Sequence, residues 1–369
     1  MPLFVGLMSG TSLDGIDAAL VRCGEGRPEL LDAVGMPMPE TLRADLLALC
    51  QADTVRFADL ARAESAFCRL QAEAVTQLLV RNHLDAEAIA AIGSHGQTIE
   101  HAPDGAAPYT CQLDNPSLLA ELTGCAVVGD FRRRDLAAGG QAAPLAPAFH
   151  AALFSDSDEW RAVLNLGGFA NLTLLPPGSR ALPVTGFDTG PANTLLDAWY
   201  ARHHADGHHD PAGRWAAGGT VDDALLERLL EDPFFARRPP KSTGREYFHL
   251  AWLESQLSGR EAAQDVQATL AELTASSIAL GVAQTLGPVP ATLIPCGGGT
   301  HNTDLLQRLG RHLPTLTLAG CEAFGWHPDW LEAGAFAWLA WRRLAGLPGN
   351  LPAVTGAAGE RVLGGLYSR

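Results

Sequence analysis

Lysine is almost missing from this chain: Lys241 is the only one, and arginine supplies every other fixed positive charge. Alongside heavy Ala and Leu usage, that scarcity reads as coding bias rather than function. The formal net charge is −15, which argues against a nucleic-acid partner, because a phosphate backbone needs a basic face. It does not argue against a small phosphorylated ligand, which backbone N–H groups and a divalent metal can hold. Paired cysteines are missing too. The seven Cys residues are an odd, scattered set without a C-x-x-C spacing, so free thiols in a reducing cytoplasm fit better than a disulfide framework. Apolar runs are broken by Gly, Pro or charge before the roughly 18 residues of a membrane span. The apolar residues 3–7 run straight into a Ser/Thr/Gly loop, without the charged region that opens a secretory signal. Also absent are a Walker A loop and a G-x-G-x-x-G opening a strand–helix unit, which leaves a nicotinamide-dependent reductase unsupported.

What is present divides into two similar halves. A length of 369 residues normally splits into two domains. The N-terminus predicts a strand over 3–7, the loop 8–15 and a second strand over 16–22. Helical spacing runs from Phe57 through Leu60, Glu64, Phe67 and Leu70 towards Leu79. Short apolar runs at 89–92 and 125–128 then deliver Ser94-His95-Gly96-Gln97-Thr98 and Asp130-Phe131-Arg132-Arg133-Arg134-Asp135. Near residue 161 the opening grammar returns: strand 162–166, a tight turn at Gly167-Gly168, return strand 172–175, and a strand ending at Phe187 before Asp188. Helices are expected from about 192, over 265–286, from about 303 and over 330–344. Strands alternating with helices imply α/β layers, and two such halves would form a cleft for a small ligand. The expected division is residues 1–140 plus 330–369 against 141–329.

Each chemistry-bearing motif has a functional and a plainer reading. In Gly10-Thr11-Ser12-Leu13-Asp14-Gly15-Ile16-Asp17, small residues allow close approach to an anion, and hydroxyls and amides can donate to phosphate oxygens. Asp14 and Asp17 suit magnesium held through water; the plainer reading is a glycine hairpin with Asp caps. Gly167-Gly168, with Asn171 beyond it, is either a tight turn or a second grip on nucleotide phosphates. Asp188, followed by Gly190-Pro191, is either a general base at a strand end or a helix N-cap. Gly297-Gly298-Gly299 suits close approach of backbone to adenine and ribose; alternatively it is a flexible turn. His95 and Gln97 suit sugar hydroxyls, and Arg132 offers a bidentate donor for carboxylate or phosphate. A lone His is as often structural, and the arginines suit surface ion pairs equally well. Glu332 lies at a helix start, where the dipole alone favours it. The His203-His204 and His208-His209 pairs read as a solvated connection rather than a metal site.

Taken in order, GLMSGTSLDGID, IGSHGQT, GDFRRRDLAAGGQAAPLAPAFH, LNLGGFANLT, GFDTGPAN, PPKSTGREYF, DVQATLAELTA, CGGGTHN, DWLEAGAFAWLA and GNLPAVTGA resemble the anhydro-N-acetylmuramic acid kinase family over essentially the whole chain. The resemblance implies a two-domain actin/hexokinase-like fold (a duplicated ribonuclease H-like unit), a homodimer, and use of ATP with magnesium. It implies a reaction in which water opens the 1,6-anhydro bridge while O6 receives the γ-phosphoryl group. Carried over by motif, Asp188 resembles the base that activates water, and Glu332 a sugar-contacting carboxylate that assists it. The stretch from Gly10 to Asp17, Gly167-Gly168 and Gly297–Gly299 resemble the ATP site; His95, Gln97 and Arg132 would lie on the sugar side. Two departures stand out: Ala192 replaces the second glycine of the family's Gly-Pro-Gly-Asn, and Asp114-Asn115-Pro116 replaces Gly-Asp-Pro. A kinase of another anhydro-sugar such as levoglucosan is the nearest alternative. A non-catalytic sugar or nucleotide sensor is the alternative of another class.

Overall fold

Three antiparallel strands open the chain: β1 (Leu3–Ser9), β2 (Gly15–Arg22) and β3 (Glu29–Pro37). After helices Glu40–Gln51 and Phe57–Arg81 come β4 (Ile89–Ala102), β5 (Tyr109–Leu113), helix Pro116–Thr123 and β6 (Val127–Gly129). The parallel pairs β1/β4 and β4/β6 give the order β3-β2-β1-β4-β6, with β5 antiparallel to the far half of β4. Helix Phe57–Arg81 buries Ala63, Phe67, Ala74 and Leu78 along one stripe, as the spacing requires. That stripe joins Val5, Leu7, Leu20 and Ile92 in one core. This computed structural model describes residues 1–369 apart from positions 206 and 288.

The same arrangement then recurs. Strands β7 (Trp160–Leu166), β8 (Phe169–Leu175) and β9 (Thr185–Pro191) form an antiparallel meander; β10 (Ala291–Cys296) runs parallel to β7, and β11 (Leu316–Leu318) parallel to β10. The order β9-β8-β7-β10-β11 repeats the first sheet strand for strand. Finally β12 (Gly365–Tyr367) adds antiparallel to β6 in the first sheet. The fold is therefore α/β, a duplicated ribonuclease H-like unit of the actin/hexokinase kind. One compact unit comprises Met1–Leu153 with Gly325–Arg369, the other Phe154–Phe324.

Two helices organise these units. In the second, Ala263–Thr285 is long and apolar enough to cross a membrane by length and composition. Instead it is buried on nearly every side, from Val266 and Leu270 to Ile278 and Val282, and its apolar character belongs to a core. In the first, helix Leu331–Leu344 lies directly on the sheet. A Cβ at Gly6 of β1 would stand 1.8 Å from the Ala333 carbonyl oxygen, and one at Gly93 of β4 2.0 Å from that of Phe336. Glycine at both places is what lets the helix approach, and the approach seats Glu332 in its first turn.

Two strands run further than their composition indicates. β4 continues through the His95 motif because β5 takes up pairing at Gln97, on the edge opposite β1, as the pairing with β1 ends, with Gly96 at φ 75° at the changeover. β9 continues through Asp188 to Pro191, so Asp188 lies within a strand rather than at its end, and the next helix starts at Asn193.

Candidate active site

In the first unit, the β1–β2 loop exposes Thr11, Ser12 and Asp14, while Leu13 and Ile16 are buried. Those two side chains anchor the loop in the core, leaving only their backbone available to a ligand. Leu13 adopts φ 57° and donates its N–H to Gly10 O at 3.3 Å; a left-handed leucine is strained and persists only where its surroundings fix it. Ser9 Oγ donates to Gly15 O at 2.8 Å, and Ser12 Oγ to Asp14 Oδ1 at 2.8 Å. Gln97 sits beneath the loop and donates Nε2 to Gly10 O at 3.3 Å, while its Oε1 is buried with no protein partner. Gln97 therefore braces the β1–β2 loop.

Asp17, on β2, faces an acidic neighbourhood. Burial first, and then Asp14, Glu332 and Asp329, push its carboxyl up to about 7. Burial raises the Glu332 carboxyl as well, and the charge of Arg132 opposes that rise. Glu332 remains solvent-accessible. Arg132 is held at two points: Nε donates to His95 Nε2 at 2.9 Å and Nη1 to Ala142 O at 2.7 Å. Because arginine only donates, His95 accepts at Nε2 and carries its proton on Nδ1, which donates to Gly96 O at 2.8 Å. Burial and the neighbouring guanidinium hold His95 well below its ordinary value. Both ring nitrogens are thus engaged, and His95 serves to orient Arg132. Burial in turn pushes Arg132 down to about 10, against the pull of Glu332 and Asp135. Arg133 is a surface residue paired with Asp130 at 3.7 Å, and Arg134 is exposed.

Asp135 and the C-terminal segment fix this group. The buried Asp135 carboxylate accepts from Ala142 N–H at 2.8 Å, Asn350 Nδ2 at 2.6 Å and Thr355 Oγ1 at 2.8 Å. Ala142, at φ 57°, is gripped by Asp135 at its N–H and by Arg132 at its carbonyl. The long motifs around residues 130–144 and 349–357 therefore encode one structural lock. Asn115 does an ordinary job nearby, capping helix Pro116–Thr123 through Leu118 N–H at 2.9 Å.

In the second unit, the capping reading of Asp188 fails. The first-turn N–H groups of helix Asn193–His203 are taken by the glycine hairpin: Ala192 and Thr194 donate to Gly168 O, and Asn193 to Gly167 O. Asp188 lies on β9 opposite Asn171 of β8, beside a bulge that leaves Thr189 as the extra residue; a bulge re-aims the side chains next to it. Its Oδ2 accepts from Thr243 N–H at 3.0 Å, and its own N–H donates to Lys241 O at 3.0 Å. Among the described residues, Oδ1 takes no protein donor. Burial pushes the carboxyl up to about 6, with the Thr243 amide opposing and Glu246 adding to the rise. A carboxylate near neutrality with one oxygen fixed and one free has the character of a general base.

Ala192, at φ −129°, occupies the departed glycine position without needing left-handed backbone. Packing explains two of the three glycines after β10: a Cβ at Gly297 would stand 2.4 Å from Asn165 Oδ1, and one at Gly299 2.6 Å from Leu166 Cβ. Around Gly298 there is open space. His204 stacks on Tyr200 with centroids 4.0 Å apart. No group of His, Cys, Asp or Glu able to hold a metal directly occurs among the described residues. Thr243 and Asp135 carry no signal in the bare sequence, since one acts through its amide and the other through distant partners.

Comparison with known proteins covers the whole length of the chain. A family profile described as anhydro-N-acetylmuramic acid kinase matches residues 2–369. The chain is 70% identical over 372 residues to the anhydro-N-acetylmuramic acid kinase of Chromohalobacter salexigens, covering 100% of both chains. Identity is 54% over 372 residues to the enzyme of that name from Pseudomonas putida, covering 100% of this chain and 99% of the relative. It is 52% over 369 residues to that of Pseudomonas paraeruginosa, with the same coverage.

Proposed function

The chain belongs to the anhydro-N-acetylmuramic acid kinase family and is a kinase; from that premise we propose that it opens 1,6-anhydro-N-acetylmuramic acid with water and phosphorylates O6 from ATP. The observation that carries the mechanism is the Asp188 carboxylate, fixed at one oxygen by Thr243 N–H and free at the other. In this reading Oδ1 takes a proton from water as its oxygen bonds to the anomeric carbon. The bond from that carbon to O6 breaks, O6 attacks the γ-phosphorus, and the bridge to the β-phosphate breaks to release ADP. Water is consumed, and the products are N-acetylmuramic acid 6-phosphate and ADP. Such an opening needs a base opposite the departing oxygen, as in inverting glycoside hydrolysis. Phosphoryl capture at O6 removes the need for a strong acid there.

Glu332 acts as the assisting sugar-side carboxylate, with Arg132 opposing the rise that burial imposes on it, His95 acting through that arginine and Gln97 through the loop. The segment Gly10–Asp17 holds phosphate mainly by backbone N–H groups, with Gly167, Gly168, Asn171 and Gly297–Gly299 as the nucleotide-binding set of the second unit. Magnesium fits the first unit. The carboxylates of Asp14, Asp17, Asp329 and Glu332 crowd one another, and a hard cation that keeps its waters would relieve them without direct ligation. When bound, it neutralises phosphate charge. A role in peptidoglycan recycling in the cytoplasm, as a homodimer, completes the proposal. The comparisons lend no support to levoglucosan as substrate.

Incubation with the anhydro-sugar, magnesium-ATP and oxygen-18 water tests the reading. Label is expected at the anomeric hydroxyl of a phosphorylated product; phosphorylation with the label absent would overturn the water-opening step.

A further inference from the structure

The one lysine turns inward. Lys241 is 6% exposed, and its ammonium donates to Phe234 O at 3.2 Å and Phe235 O at 3.4 Å, with the Phe234 ring 4.6 Å away. These carbonyls end the short helix Pro233–Ala236, where carbonyls favour a cation; Phe234 O also accepts from Arg237 N–H at 3.2 Å. Phe234 and Phe235 are buried in the helical core of the second unit, with Phe248 and Leu253. The ammonium therefore ties residue 241 to a rigid body, although burial lowers its own affinity for a proton. Two backbone bonds leave the same short stretch for the base: Asp188 N–H to Lys241 O and Thr243 N–H to Asp188 Oδ2, both 3.0 Å.

We propose that Lys241 is a positioning residue for the kinase reaction, an internal strut that holds the Thr243 amide against Asp188 and so fixes which carboxylate oxygen faces the water. This rests on the reading of Asp188 as the base. A lysine is suited to the task because a long stem reaches the core while one compact charge satisfies two carbonyls. An apolar side chain of the same length would remove the ammonium's bonds to both carbonyls and free the segment to drift, and a displacement of about 1 Å at a reacting group costs on the order of a hundredfold in rate. It would also weaken the amide bond to Oδ2, and a donor to the charged form is what lowers a carboxyl's pKa. The surroundings of Asp188 contain little else to move it. Asn171 faces it from β8; the helix Ala263–Thr285 presents Thr274, Ser277 and Gly281 to the β9 region. Among the described residues, Glu246 is the one charged group acting on it.

The test uses the full chain with the anhydro-sugar and magnesium-ATP, measured from about pH 5 to about pH 9. Lys241→Met is expected to lower kcat about ten- to hundredfold, leave KM for ATP within about twofold, and move the acidic limb upward by roughly one pH unit. Should Lys241→Met fail to fold, Lys241→Gln, whose amide stands one bond short of the ammonium's place and carries no charge, provides the same readout. A Lys241 variant that folds with normal kcat and an unmoved limb, while Asp188→Asn is inactive, overturns the strut and leaves the base. An active Asp188→Asn overturns the base itself, and the strut with it. A merely structural lysine would lower Tm without moving the limb.

Discussion

The two units hold their acidic groups by different means. Glu332, in the first, has a full charge beside it, and that charge is aimed: Arg132 is pinned by His95 and the Ala142 carbonyl, with Asp135, Asn350 and Thr355 behind. Asp188, in the second, has one neutral donor, the Thr243 amide, and a like-charged neighbour in Glu246. Burial raises both carboxyls. The difference lies in what remains after compensation. Both carboxyls stay raised, but Glu332 keeps a cation that opposes protonation and suits binding, whereas Asp188, held by a single amide, titrates near the working pH and suits proton transfer.

The largest effect should come from removing the uncompensated group. Asp188→Asn preserves the shape and the Thr243 contact but cannot accept a proton, so kcat should fall about 10²- to 10⁴-fold with ATP binding retained. Steady-state kinetics and nucleotide titration check this, and near-normal turnover would erase the contrast. Next comes Arg132→Leu. It leaves Glu332 near Asp17 without its cation, so the Glu332 carboxyl should rise and the sugar's kcat/KM fall roughly 10- to 100-fold at neutral pH, in the range of removing a buried charge partner. Partial recovery at higher pH is the signature; an equal loss at every pH would mean that Arg132 contacts substrate without tuning Glu332. Third is Gly93→Ala, which pushes a methyl into the Phe336 carbonyl and must lift the helix carrying Glu332. About 1–3 kcal/mol of destabilisation is expected by denaturant unfolding, with the Asp188 acidic limb unmoved.

The fold was largely legible because its signals are local. Two glycine-turned hairpins announce the repeat, and the long helices appear close to their observed limits: 265–286 expected against Ala263–Thr285, and 330–344 against Leu331–Leu344. β3 escaped notice because its residues are mostly half-buried and give no clean alternation. β4 and β9 were cut short because a strand that changes neighbours, or carries a bulge, breaks the pattern read along the chain. At the site, residue types were legible and partnerships were not. Asp188, Glu332 and Arg132 stand out by chemistry, but the Thr243 amide has no side-chain signature. The His95–Arg132 bond joins residues 37 positions apart. Lys241 looked like compositional accident because nothing in a sequence shows which way one lysine points.

The smallest effect runs opposite to activity. Asp188 has a folded-state value of about 6 against an ordinary 3.8. A carboxyl raised on folding supports the folded state while protonated; that support is complete below 3.8 and lost as pH climbs through about 6. Above that, the native protein carries an ionised group it holds less well than water would. Asparagine never ionises and still accepts from Thr243 N–H, so Asp188→Asn should be the more stable protein at neutral pH, by roughly 2–5 °C in Tm. Its advantage over wild type should vanish towards acid, which separates it from a general packing effect. The same comparison at Glu332 should give less, because Arg132 offsets part of the cost of its charge and would itself be left unpaired by Glu332→Gln. Scanning calorimetry of both variants at two pH values checks the ranking; equal Tm for Asp188→Asn and wild type at neutral pH would mean that the Thr243 amide compensates Asp188 as fully as an arginine does Glu332.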